Sequence, residues 1–268
     1  MTPLIAARAI IAREFARFIT QRERFLAALV RPLVWLFVFA AGFRAALGLS
    51  IIPPYQTYIT YETYILPGLC GMVLLFSGMQ SSLSLVHDRE NGAMRLLLTA
   101  PLPRWFLLGA KLLAGAATGL AQVVVFLAIA WIYGLKLKWF GYLAMLPALL
   151  LAALMLGALG LALSSRIRQL ENFAGVMNFV IFPMFFMSTA LYPLWKMQEN
   201  APILASLCRA NPFTHAVELI RFAAYGQLNL AALGWTVMAT GVFFAAAVWG
   251  FEPARTRGGP RGTGGAQG

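Results

Sequence analysis

Apolar residues along this chain come in long unbroken runs rather than in alternation with polar ones. Six runs reach the roughly 20 residues that an α-helix needs to cross a hydrocarbon core. They extend from about Leu26 to Leu49, Thr63 to Val86, Phe106 to Tyr133, Tyr142 to Ser164, Phe173 to Tyr192 and Ala231 to Phe251. Barrel strands are shorter and alternate between two faces, so the pattern predicts an all-α polytopic membrane protein with six transmembrane helices over residues 26–251. Residues 1–25 read differently. Leu4, Ile11, Phe15, Phe18 and Phe25 recur at helical spacing, with Arg13, Arg17 and Arg24 opposite them. This is the pattern of an amphipathic helix lying in the membrane interface with its arginines toward anionic lipid. Glu14 and Glu23 break any apolar stretch there, which excludes a signal peptide. Residues 252–268 are rich in Gly, Arg and Pro and are expected to form a disordered cytoplasmic tail.

Composition supports the membrane reading. The 268 residues are 60% hydrophobic and only 11% charged, whereas soluble domains carry about 25% charged residues. The net charge of +12 raises the question of a nucleic-acid partner. No basic patch forms, however, and the cations sort by loop instead. Arg8, Arg13, Arg17, Arg22 and Arg24, then Arg89, Arg95 and Arg104, then Arg166 and Arg168, then Arg255, Arg257 and Arg261 share one side. The opposite loops hold only Lys136, Lys138, Lys196, Arg209 and Arg221. The bias places both termini in the cytoplasm of a plasma membrane, with a bacterial inner membrane as the expected setting and no nucleic acid as partner. Arg31 and Arg44 fall near the inner and outer ends of the first span, where anchoring by reach to the headgroups is the expected role.

Candidate chemistry is sparse. No GxxxxGK[ST], GxSxG or HExxH pattern occurs, and Cys70 and Cys208 lack CxxC spacing, so no catalytic, cofactor or metal site is expected. No Asp or Glu falls near the middle of a predicted span, which weighs against a proton-coupled secondary transporter. The segment after span two, from His87 to Arg104, mixes charge with a compact apolar run. Asp88 or Asn91 can cap a helix start there, and Pro101 and Pro103 stop it. A helix of two to three turns results, with Met94, Leu97, Leu98 and Pro101 able to fill a groove. The outer segment from Pro193 to Asn229 is too apolar for an open loop. It predicts a re-entrant hairpin of two short helices broken at Asn211-Pro212, with Glu218 and Arg221 able to pair, acting as gate or as cap. In span five, Asn178, Met184, Phe186, Met187 and Ser188 suit either helix packing or a path for bulky apolar substrates. Gly115 and Gly119 form a GxxxG in span three that would permit close helix approach.

Three stretches together resemble the permease subunit of ABC-2 type ABC transporters. The first comprises Glu90, Gly92, Leu97, Leu98, Pro101, Trp105, Gly109, Lys111 and Leu112. The second runs from Phe182 to Pro193, and the third is Asn211-Pro212 followed by Glu218 and Arg221. The resemblance covers Arg31 to Gly250. It implies that Glu90, Gly92, Met94, Leu97, Leu98 and Pro101 form a cytoplasmic coupling helix docking on a separate ATPase subunit. Ser164 to Glu171 and the N-terminal helix would be secondary contacts. The missing P-loop then has a reason, since ATP would be bound and hydrolysed by the partner and not by this chain. The resemblance further implies a homodimer of permeases in a two-plus-two complex that exports a lipid, lipid-linked glycan or drug. An ATP-independent secondary transporter or channel is the alternative.

Overall fold

The computed structural model describes residues 29–39, 60–91, 103–167 and 169–251, with positions 12, 16 and 54. Among the described residues the chain is helical. α1 covers Leu29–Val38 and widens into a π-helical turn over Trp35–Phe39. α2 covers Tyr61–Glu90, α3 Arg104–Ile132, α4 Trp139–Arg166 and α5 Leu170–Phe186. The short helices α6 (Leu194–Asn200), α7 (Pro202–Ala210) and α8 (Pro212–Ala224) follow, and α9 (Leu230–Gly250) closes the bundle. The expected interfacial helix, most of the first span and the tail lie outside the described residues.

Four helices, α2, α3, α4 and α9, are long and apolar enough to cross a membrane. The full set of six expected spans is thus matched only in part. α1 is described over a short stretch, and α5 has 17 residues and stops at Phe186 rather than Tyr192. The reason is local. The Ser188 hydroxyl donates to the Phe185 carbonyl at 2.6 Å and accepts from Ala190 N–H at 3.2 Å, turning the chain out of the helix. α2 errs the other way. It continues past Val86 to Glu90, because Asp88, Arg89 and Glu90 of its last turn each find a partner on another helix or at its end. The segment expected to form the outer hairpin has three short helices instead of two. An extra break falls at Ala201-Pro202, where proline opens α7 at its first turn.

α2 and α4 form the centre of the bundle, with α3, α5, α8 and α9 around them. Between membrane helices there is little hydrophobic drive, so close backbone packing carries the association. Glycines make that possible here. A Cβ at Gly78 of α2 would lie 2.9 Å from the Gly157 nitrogen of α4, and one at Gly160 would lie 2.8 Å from the Gly78 carbonyl. Gly115 and Gly119 of α3 face Ser81 and Ser77 of α2, so the GxxxG serves packing within the chain. Leu69, Val73 and Met79 of α2 meet Met145, Leu149 and Leu156 of α4 in the main core. α9 is largely bare, with Trp235, Val237, Met238, Val242 and Trp249 facing outward.

Candidate functional site

The helix ends gather the polar side chains into two clusters, one at each end of the bundle. The first lies where α2 meets the segment 92–102. Three consecutive residues there point to three different helices, because each step around an α-helix turns about 100°. The Asp88 carboxylate accepts from the Lys111 ammonium of α3 at 2.7 Å, with both side chains buried. The Arg89 guanidinium donates to the carbonyls of Ser164 (3.3 Å) and Ile167 (2.9 Å), at the end of α4. The Glu90 carboxylate accepts from the Leu170 N–H at 2.9 Å, at the start of α5. Helix termini leave just such carbonyls and N–H groups without intrahelical partners, and the charge at each end suits the local dipole. Arg104, opening α3, donates to the Phe251 carbonyl at 3.3 Å and so holds the end of α9 as well. Asp88, which the sequence offered as a cap for a following helix, lies in the last turn of α2 and pairs with Lys111. Asn91 serves as the C-cap of α2, with its side chain 3.0 Å from the His87 ring. Of the expected coupling residues, Glu90 stands in this clasp, and Gly92, Met94, Leu97, Leu98 and Pro101 lie outside the described residues.

The second cluster forms around the turn after α5. Asn211 accepts from Phe213 N–H at 3.0 Å and so caps α8, with Pro212 at the first helical position. Its amide donates to the carbonyls of Met184 (2.8 Å) and Met187 (2.6 Å), which α5 leaves open at its end. Arg221 is almost fully buried. It pairs with Glu218, donates to the Thr189 carbonyl at 2.7 Å and lies 4.1 Å over the Tyr64 ring. The Tyr64 hydroxyl donates to the same carbonyl at 3.1 Å. Asn211, Pro212, Glu218 and Arg221 thus come together on the turn 187–193. Near by, His215 stacks on Trp235 with ring centroids 5.3 Å apart, and its Nε2–H donates to the Arg209 carbonyl at 2.9 Å. Burial pushes the Tyr225 hydroxyl up to about 12, partly offset by Arg221, and likewise raises the Cys208 thiol.

The five expected path residues separate. Asn178 and Phe186 are exposed, Met184 and Met187 are half-buried, and Ser188 is buried in the turn. Phe186 stacks with Phe182, and Trp35 of α1 stands edge-on to both Phe185 and Phe186 at 5.9 Å. A groove of about 300 Å³ between α4, α8 and α9 is lined by Phe140, Ala148, Leu151, Leu219 and Gln227 among others, and by none of these five. Sequence reasoning missed Arg89, Tyr64 and Thr189. A cation one residue before an acidic helix end was the available signal for Arg89. For Thr189, which acts through its carbonyl, there was none. Among the described residues no three His, Cys, Asp or Glu side chains gather as a metal site.

The match with known proteins spans the region that holds both clusters. The family model described as ABC-2 type transporter matches residues 6–225. The transport permease ycf38 of Porphyra purpurea is 28% identical over 218 residues, which is 80% of this chain and 72% of that protein. The ycf38 protein of Cyanophora paradoxa is 28% identical over 223 residues, with the same coverage of 80% and 72%. The multidrug ABC transporter permease YbhR of Escherichia coli K12 is 28% identical over 172 residues, covering 62% of this chain and 45% of YbhR.

Proposed function

The chain belongs to the ABC-2 type transporter family and is a multi-pass membrane subunit of a transporter; from that premise we propose that it moves a hydrophobic or amphipathic substrate outward, driven by ATP hydrolysed on a separate subunit. The observation that carries this reading is the clasp. The segment 92–102 is bounded by α2 and α3, and its root is bonded to α3, α4 and α5 through Asp88, Arg89 and Glu90. A load applied to that segment is therefore shared by four helices instead of bending one loop. An ATPase seated on Gly92, Met94, Leu97, Leu98 and Pro101 would move the bundle end as a unit. The clasp end is cytoplasmic in this reading, by the sorting of arginines, and α1 and α5 complete six crossings. Two permeases and two ATPases make the complex, and the plasma membrane holds it. The relative named for multidrug transport supports an organic amphiphile as substrate, and the soft, flat surface of Met184, Phe186 and Met187 suits one.

The test is substrate-stimulated ATPase activity of the reconstituted complex. Glu90→Ala frees the Leu170 N–H, and Gly92→Pro stiffens the root of the loop. Both are expected to lower stimulation strongly while the permease still inserts and binds the ATPase. Unchanged stimulation in both variants removes the coupling role. Transport by the purified chain alone in liposomes removes the ATP-driven reading and favours a secondary transporter or channel.

A further inference from the structure

Arg31 was expected to reach the headgroups, and its position in the fold supports a second reading. It is exposed on α1, and its guanidinium carbon lies 4.0 Å from the centre of the Phe76 ring. Phe76 is midway along the 30-residue α2, so the cation stands about 20 Å from either end of that helix at a rise of 1.5 Å per residue. The hydrocarbon core is about 30 Å thick, so sliding α2 by a turn in either direction still leaves this charge deep inside. A cation facing acyl chains at that depth is costly, and a ring face offsets only part of the cost. Among the described residues no carboxylate bonds to Arg31. Asp88, Glu90 and Glu171 stand at the clasp end, and Glu62, Glu199 and Glu218 at the hairpin end. No described carboxylate supplies a counter-charge at that depth.

The surroundings indicate what kind of molecule brings it. One turn along α1 from Arg31, Trp35 stands against Phe185 and Phe186, and the surface continues past Phe186 toward Met187 and the hairpin end. This strip has one strong donor of fixed planar geometry at mid-depth and flat or soft apolar groups beyond it. It is complementary to a molecule with an acid group and a long apolar part. Resting on the permease reading above, we infer that Arg31 recognises the anionic group of the transported amphiphile, whose apolar part lies along Trp35 and Phe186.

The probe is a dansyl-labelled undecanoic acid, with its methyl ester as the neutral counterpart, titrated into the full-length permease in phosphatidylcholine nanodiscs. A charge-assisted hydrogen bond in this setting corresponds to about tenfold or more in affinity. The acid is expected to bind at least about tenfold tighter than the ester. Arg31→Gln should bring the ratio near one without weakening the ester, and Arg31→Lys should keep part of the preference. Arg44→Gln, which removes the other arginine of the first predicted span, should leave the ratio unchanged. No preference in the wild type, an unchanged ratio in Arg31→Gln, or an equal loss in Arg44→Gln overturns the assignment. A second measurement does not depend on a variant folding. A diazirine-bearing fatty acid is expected to crosslink to peptides containing Trp35 or Phe186, and crosslinks confined to other peptides overturn it. Repeating the titration in phosphatidylglycerol nanodiscs separates sources: displacement of the probe shows that a lipid headgroup supplies the same acid chemistry, and undiminished binding shows that a free amphiphile does. Neither readout needs the ATPase, so either can fail while ATP-coupled transport stands, and the reverse.

Discussion

Lys111 and Asp88 show what one buried pair commits the chain to. They sit 2.7 Å apart, both nearly inaccessible, on neighbouring helices. Removing one partner strands the other charge, at a cost of about 3–5 kcal/mol, whereas replacing both with apolar residues is often neutral. Lys111→Met should therefore destabilise the permease strongly in detergent unfolding, and Lys111→Met combined with Asp88→Leu should recover most of the loss. If the double variant is as unstable as the single one, the pair does more than neutralise itself. Tyr225 gives a pH signature at the other end of the molecule. Its folded-state pKa is raised from the ordinary value of 10.0 to about 12, chiefly by burial. The folded state therefore holds the proton more tightly than the unfolded state, and the resulting stability is present below pH 10 and lost as pH rises toward 12. Tyr225→Phe should flatten that part of the stability profile, and an unchanged slope would mean that other groups set it.

Among the elements, the crossing of α2 and α4 has the least slack. A methyl group added at Gly78 has nowhere to go, because the atoms it meets belong to the backbone of Leu156 and Gly157 and not to a flexible side chain. Overpacking of this kind costs about 1–3 kcal/mol. Gly78→Ala should lower thermal stability by that order, while Gly175→Ala, at a position on α5 with open space around it, should leave it unchanged or slightly raised through better helix propensity. Thermal melts of the two variants, side by side, separate tight packing from generic glycine effects. The same elements show where the sequence pattern misled. Apolarity carried the fifth predicted span through Tyr192, but Ser188 and the amide of Asn211 end the helix earlier by taking its last carbonyls. Nothing in a hydropathy pattern reports a side chain that arrives from a position 24 residues away.

At the scale of the whole molecule, the two polar clusters face opposite ends of one bundle. Their separation makes the orientation testable. Lys138→Cys lies in the loop between α3 and α4 at the hairpin end, and Gln169→Cys lies between α4 and α5 at the clasp end. In intact cells a membrane-impermeant maleimide should label the first and spare the second, with the background thiols Cys70 and Cys208 both buried. Labelling of Gln169→Cys alone would invert the molecule and remove the cytoplasmic assignment of the clasp. Much of this architecture was legible before the fold was known. The long apolar runs predicted α2, α3, α4 and α9 to within a few residues, and the charged stretch 87–91 and the Asn-Pro at 211–212 were each singled out. The contacts of Asp88 with Lys111 and of Arg31 with Phe76 were not.

That division has a physical origin. Partition into a membrane and helix formation depend on the composition of about 20 neighbouring residues, so the sequence alone determined which segments are helical, which are apolar and which face is richer in cations. Which polar groups meet depends on the rotation and crossing of each helix, and these are set by contacts between residues far apart in the chain. Only the tertiary structure decided that Asp88 meets Lys111, that Thr189 offers its carbonyl to Arg221, and that Arg31 stands over Phe76 near the middle of α2.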